Sequence, residues 1–303
     1  MNPNPDSSPA DQGNQRETVL FLHCSGSSAR QWAPVTAALA EPIDAIPLDL
    51  AGYGTDAGDW PAGTPCTLDD EADRIAHWLQ GPRPVHLVGH SFGATVALQL
   101  ALRWPSRVRS LTLYEPVRFA LLFARRMTRA IGDAIAGVGR KIGARVMAGR
   151  RAEAAEQFID YWSGRGAWAA MSPGQQEAAA ARMPKVRAEF DALFADPVPL
   201  AAYRRLTMPV LLLVGGNTLT PPRAVARLLA GALPGVVRET LPGLGHMGPI
   251  THPTRIAARL GAFLLAQRAG TACDANDRQL PDRAGADQGR VPGIPRTVLT
   301  GRA

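Results

Sequence analysis

The residues Gly89-His90-Ser91-Phe92-Gly93 carry the strongest chemical signal in the chain. They end an apolar run, Val85 to Gly89 (VHLVG), and lead into ATVALQLALRW, a stretch with helical periodicity. A serine with glycines two positions to either side, at a strand-to-helix turn, has a mechanical reason. The strained turn lifts Oγ out of the sheet, and side chains at the flanking positions would collide there. The helix that begins just after Ser91 also aims free N–H groups and its positive dipole end at developing negative charge. The expected chemistry is nucleophilic attack by Ser91. The five-residue pattern alone arises by chance; the strand before it and the helix after it give it meaning. His90 adjoins Ser91 but should point away from it, which makes it a structural residue.

Such a serine must be held by a sheet, and the chain alternates short apolar runs with helical patterns. Strands are expected at Thr18 to His23, Ile43 to Asp49, Val85 to Gly89, Val108 to Tyr114, Val210 to Gly215 and Val236 to Leu241. Helices are expected at about 29 to 40, 68 to 80, 93 to 103, 222 to 232 and 253 to 267. Thr67 with Asp70 three residues later resembles a capping box for the second. Strands rich in Val and Leu with little polar alternation are buried on both faces, which implies a mostly parallel sheet with helices on either side. Ligands then gather at the carboxyl ends of the strands.

One stretch breaks the alternation. From Val117 to about Leu206 the apolar residues recur at three- and four-residue steps and no strand is evident. Ser172, Pro173 and Gln175 form a helix start there. Glycines at 132, 137, 139 and 143 predict a weak first helix. Residues 1–16 and 270–303 lack apolar periodicity and read as disordered tails.

Composition excludes several classes. The chain has 303 residues, 46% hydrophobic and 19% charged, which suffices for one large domain or two small ones. Of 33 basic residues only Lys141 and Lys185 are lysines, an arginine skew that drift of base composition explains more simply than an acidic partner, within a net charge of +7. No nucleic-acid motif uses it. Cys24, Cys66 and Cys273 are too few and too scattered for a disulfide framework, and no zinc or redox spacing occurs. The N-terminus has no apolar leader core, and no run approaches the roughly 18 apolar residues of a membrane span. A cytoplasmic protein with no transmembrane segment is expected.

With the elbow in this setting, the chain resembles the α/β-hydrolase fold family over about residues 17 to 269. The resemblance implies an α/β fold, a doubly wound, mostly parallel sheet formed by 17–116 and 207–269, with 117–206 as a helical lid insertion. It implies an oxyanion hole made by the backbone N–H groups of Phe92 and Ser25, the latter within His23-Cys24-Ser25-Gly26. Cys24 stands where the family usually has glycine, and its Cβ restricts the backbone that must aim the Ser25 amide. As a second nucleophile Cys24 has no evident helix terminus or cation to lower its pKa, so it reads as a packed thiol. Asp49-Leu50-Ala51-Gly52-Tyr53-Gly54 looks like the family's D-x-x-G-x-G loop, in which the aspartate ties down turns. Gly243-Leu244-Gly245-His246-Met247 follows the last strand, as the family's loop with its catalytic histidine does. His246 is thereby preferred as base over His252 and His23.

The acid is the departure. In the family it usually stands in a G-x-x-D-x-x-T-P context, and here Asn217 occupies that place in Gly215-Gly216-Asn217-Thr218-Leu219-Thr220-Pro221. An amide orients an imidazole but does not neutralise an imidazolium, and in a serine-protease triad this exchange costs roughly 10⁴ in turnover. Some haloalkane dehalogenases place a glutamate after the strand that follows the elbow helix. Here Glu115-Pro116 follows VRSLTLY directly, and the order Ser91, Glu115, His246 keeps the nucleophile, acid, base sequence. Glu115 is the expected acid. The alternative is that Glu115 caps the lid helix while Asn217 or Asp196 serves His246. The likeness to dehalogenases ends there, because their nucleophile is aspartate, so halide displacement is not expected.

The function expected is hydrolysis of a small carboxylic ester through an acyl-enzyme, with no cofactor and no metal. Its partner would be a small-molecule substrate with an apolar acyl or aryl part, met by lid aromatics among Phe119, Phe123, Phe158, Tyr161, Trp162 and Trp168. Oligomeric state is left open. Alternatives are cleavage of a carbon–carbon bond in a β-diketone-like substrate, and a binding protein with vestigial hydrolysis. From Arg118 to Arg151 nine basic residues stand against Asp133 alone, which reads as a solvated helix face or as an attraction for an anion.

Overall fold

A computed structural model describes residues 16–57 and 60–277. The chain divides into a unit ending at Gln267 and a second beginning at Arg268. In chain order the first unit begins with β1 (Glu17–Leu22), α1 (Ala33–Ala37), β2 (Ile43–Leu48), α2 (Leu68–Ile75), β3 (Val85–His90), α3 (Phe92–Arg103) and β4 (Val108–Tyr114). Four helices follow: α4 (Arg126–Met147), α5 (Arg151–Ser163), α6 (Pro173–Ala181) and α7 (Met183–Ala195). Then come β5 (Val210–Gly215), α8 (Thr220–Ala230), β6 (Val237–Leu241), α9 (Gly248–Thr251) and α10 (Pro253–Asp277).

The six strands form one sheet in the order β2-β1-β3-β4-β5-β6, and every pair is parallel. Alternation along β1 shows why both faces are covered. Leu20 and Leu22 join the large apolar cluster with α2, α3 and the inserted helices, while Val19 and Phe21 join the cluster with Trp32, Ile256 and Leu260. β3 is buried at all six positions, as a central strand requires.

The expected strands are all present. The helix expected over 29–40 is instead a 3-10 turn, Ala29–Trp32, followed by the short α1, because Pro34 has no N–H to extend the turn ahead of it. Capping boxes hold α2 through Thr67 and Asp70 and α6 through Ser172 and Gln175. The glycine-rich stretch expected to make a weak helix is the 22-residue α4. Packing overrides propensity there: a Cβ on Gly139 would lie 2.8 Å from Phe190 Cδ1, so the small residue lets α7 approach. The reading of residues 270–277 as part of a disordered tail is corrected by α10, which continues to Asp277; no proline interrupts it before Pro281. The remainder of both expected tails, 1–15 and 278–303, lies outside the described residues.

Candidate active site

At the end of β3, Ser91 has φ 55° and ψ −114°. Among the described residues only Ser91 and Glu115 are non-glycine residues with positive φ, and both belong to this site. The turn is closed by the Ser91 N–H donating to the Tyr114 carbonyl at 2.9 Å. The flanking glycines are steric necessities. A Cβ on Gly89 would lie 2.5 Å from Ala94 Cα, and one on Gly93 would lie 2.3 Å from the Leu22 carbonyl oxygen.

His246 reaches Ser91 from the loop after β6. Its Nε2 lies 3.0 Å from Ser91 Oγ, and its Nδ1 lies 2.7 Å from Glu115 Oε2. A carboxylate only accepts, so the Nδ1–H donates to Glu115 and the bare Nε2 accepts from the Ser91 hydroxyl. All three side chains are buried. Glu115, just past β4, is held from the β5 side. Its Oε1 accepts the Gly215 N–H at 2.6 Å, and Oε2 also accepts the Thr218 hydroxyl at 2.5 Å. The structure therefore brings Glu115, and neither rival, to His246. Asn217 is exposed, with its side-chain amide donating to the Gly243 carbonyl at 3.4 Å. Asp196 is bound by Arg118 through two guanidinium nitrogens.

His90 does turn away from Ser91, but it is tied to the site. Its Nε2 donates to the His246 carbonyl at 2.8 Å, and its Nδ1 accepts from the Gln31 amide at 3.2 Å. Burial pushes its pKa well below the ordinary imidazole value, in keeping with a neutral ring. The Gln31 side-chain oxygen in turn accepts the Cys24 N–H at 3.1 Å. One chain of hydrogen bonds thus links the His246 loop to the loop holding Ser25.

That loop and the start of α3 flank Ser91. Phe92 is the first residue of α3, so its N–H has no intrahelical acceptor. Ser25 lines the same cavity as Ser91 and His246. Cys24 does not have positive φ, and its buried thiol is pushed up to about 12, chiefly by burial, which makes it inert. Asp49 ties down turns: its Oδ1 accepts the Ala29 N–H at 2.7 Å. Among the competing histidines, His23 bridges the Cys24 carbonyl and the Leu50 N–H, while His252 is exposed and bonded to Thr251.

The cavity in front of Ser91 has a volume of about 130 Å³. Val117, Phe119, Phe158, Ile159 and, from α7, Phe190 and Leu193 make it apolar. Trp162 of α5 lies on His246, with ring centroids 4.2 Å apart. Thr218 and Gln31 are residues the sequence pattern did not mark, while Trp162, expected among the lid aromatics, meets His246 as well as lining the cavity. Of the two unmarked residues only Thr218 had a signal, its place beside the vacant aspartate position. Among the described residues no group of His, Cys, Asp and Glu is arranged to hold a metal ion. No described helix is long and apolar enough to cross a membrane.

A strained serine after a central parallel strand, with a histidine and a buried carboxylate behind it, defines a hydrolase-type site on a doubly wound sheet. The chain belongs to the alpha/beta hydrolase family, whose family model matches residues 19–259. It is 38% identical over 112 residues to the dihydrolipoyllysine-residue acetyltransferase component of the acetoin cleaving system of Cupriavidus necator, a match covering 36% of this chain and 29% of that protein. Over 100 residues it is 38% identical to the lipase LipV of Mycobacterium tuberculosis, covering 32% and 36%. The chain thus aligns with about a third of the length of these relatives. In structure it resembles a hydrolase from Pseudomonas aeruginosa, with a TM-score of 0.66 and 21% identity, over 82% of this chain and 90% of that one. That likeness is one of fold.

Proposed function

We propose that this protein hydrolyses small carboxylic esters through an acyl-enzyme, with Ser91 as nucleophile, His246 as base and Glu115 as acid. The observation that carries the reading is the continuous chain Ser91 Oγ, His246 Nε2, His246 Nδ1, Glu115 Oε2 at 3.0 and 2.7 Å, set in an apolar cavity. His246 takes the Ser91 proton as Oγ attacks the carbonyl carbon, then delivers it to the departing alkoxide. Water, deprotonated by His246, cleaves the acyl-enzyme and restores Ser91. The N–H groups of Phe92 and Ser25 bind the oxyanion, and the buried Glu115 balances the imidazolium. The inserted helices act as a lid that supplies most of the acyl wall.

Cavity size bounds the substrate. An apolar cavity of about 150 Å³ takes a benzene ring. A space of about 130 Å³, slightly smaller than that, suits a short alkanoyl group and at most a single planar ring. A reducing, cytoplasmic setting is supported by the unpaired thiols of Cys24 and Cys66.

The test is a panel of p-nitrophenyl esters from acetate to laurate, with benzoate and a β-diketone alongside, run on wild type and Ser91→Ala. Hydrolysis that peaks at short or aromatic acyl groups and falls at least 10³-fold in Ser91→Ala is expected. Turnover of the diketone alone, or of nothing in the panel, overturns the ester reading.

A further inference from the structure

Among the described residues, the one large aromatic side chain resting on the face of the His246 imidazole comes from the insertion. Trp162, at the end of α5, has its ring centroid 4.2 Å from that of His246 with an interplanar angle of 33°. Tyr161 meets the indole edge-on at 4.9 Å and restrains it. We propose that Trp162 is a positioning residue for the reaction, its indole face stabilising the His246 imidazolium formed as Ser91 loses its proton. This rests on the acyl-transfer reading above.

A cation within about 6 Å of an aromatic centroid is attracted by the ring quadrupole, and indole is the strongest of the natural faces. The imidazole is neutral before attack and cationic during it, so this attraction grows along the reaction coordinate. Interactions that strengthen only in the transition state raise the rate, whereas equal binding of both states does not. The surroundings leave the role open to Trp162. Glu115 meets His246 at Nδ1 and Ser91 at Nε2. From β3, the His90 ring lies 5.2 Å away at 50°, and burial pushes its pKa down, away from the cationic form. From β4, the Tyr114 hydroxyl donates to the Gly245 carbonyl at 2.6 Å, and burial pushes its pKa up, which keeps it neutral. The carboxylate thus meets the cation at one edge and the indole covers a face. The insertion thereby reaches the base itself, so a displacement of α5 would weaken catalysis without moving Ser91, His246 or Glu115.

The experiment uses the full chain as wild type, Trp162→Phe, Trp162→Leu and His246→Gln. Leucine keeps an apolar cover and deletes the π face; phenylalanine retains a smaller one. A protonated imidazole in contact quenches indole emission. Wild type is therefore expected to lose tryptophan fluorescence on acidification; over the background of the His77–Trp78 pair, 5.2 Å apart and common to all variants, the part of the loss that disappears in Trp162→Phe should disappear equally in His246→Gln. The plateau kcat/KM for p-nitrophenyl butyrate is expected to fall roughly 2- to 30-fold in the order Trp, Phe, Leu, with the acid limb of the pH profile moving to lower pH in that order. A Trp162-dependent fluorescence step that persists in His246→Gln, or an acid limb unchanged in Trp162→Leu, overturns the proposal. Wild type that hydrolyses no ester yet shows the His246-dependent step counts against acyl transfer and leaves the stack standing.

Discussion

At the scale of single residues, the proposed acid is defined by what surrounds it. Glu115 Oε1 and Oε2 together accept from Gly215, Thr218 and His246, so the carboxylate has one orientation and little freedom to leave it. In a triad with this geometry, Glu115→Gln should lower kcat by about 10³ to 10⁴ with KM little changed, and Asn217→Asp should leave kcat within about twofold, both read from ester kinetics. Retained activity in the first, or a large gain in the second, would return the role to position 217. His23 makes a separate prediction about stability. Burial lowers its pKa to about 4, because the apolar surroundings disfavour the charged imidazolium. The unfolded chain takes up this proton near 6.5 and the native one only near 4, so the contribution is fully present above about pH 6.5. It is lost as pH falls toward 4, amounting to about 3 kcal/mol. Urea midpoints measured from pH 7 to pH 4 should fall accordingly in wild type and more shallowly in His23→Gln.

At the scale of elements, the insertion sets the cavity and the β3–α3 turn sets the serine. Phe190 of α7 is the wall between the cavity in front of Ser91 and an outer groove of about 860 Å³ against α4. Phe190→Ala should join the two spaces and shift the preferred ester toward longer acyl chains, with octanoate gaining about tenfold over butyrate in kcat/KM. An unchanged chain-length profile would place the acyl group elsewhere. The elements containing Ser91 and His246 were legible because their patterns are local: a buried strand, two glycines forced by backbone contact, a histidine after the last strand. The unbroken helices expected over 29–40 and 68–80 contain 3-10 turns at Ala29–Trp32 and Ala76–Leu79, because periodicity does not register where a 3-10 turn replaces an α-turn. α4 forms over its whole glycine-rich length, and two of its glycines, Gly139 and Gly143, face Phe190 and Arg187 of α7, a contact that propensity, which counts only the isolated helix, does not include.

At the scale of the whole first unit, buried ion pairs fasten the inserted helices to the sheet domain. Lys185 of α7 is buried and donates to Glu71 of α2 at 2.6 Å, with Cys66 Sγ at 3.2 Å and Glu189 at 3.3 Å. Burial disfavours its charge, but Glu189 and Glu71 outweigh that and raise its pKa, while burial raises that of Glu189. Arg118, the first of the nine basic residues from Arg118 to Arg151, is not on a solvated face at all: it is buried against Asp196 and Gln99. Arg145 and Arg150 both pair with Glu153, so part of the remaining charge is answered within the insertion. Removing one partner of a buried pair costs about 3 to 5 kcal/mol, because the other is left charged in an apolar place. Lys185→Met should show that loss in urea unfolding, and adding Glu71→Gln should return part of it. An unaltered midpoint would mean that the insertion is not held by this pair.

Read alone, the sequence determined whatever depends on neighbours along the chain: the alternation that dictates a parallel sheet, the elbow whose glycines answer backbone contact, and the absence of aspartate at position 217. What it left open were meetings between residues far apart in the chain. Glu115 lies 131 positions from His246, and only the placing of β4 beside β5 brings its carboxylate under the Thr218 hydroxyl and against the imidazole. Trp162 reaches His246 because α5 borders the cavity in front of Ser91, and no periodicity in α5 encodes which side chain will lie across that ring. Local sterics are written in local sequence; long-range juxtaposition comes from the packing of whole elements, and the reach of this site was decided there.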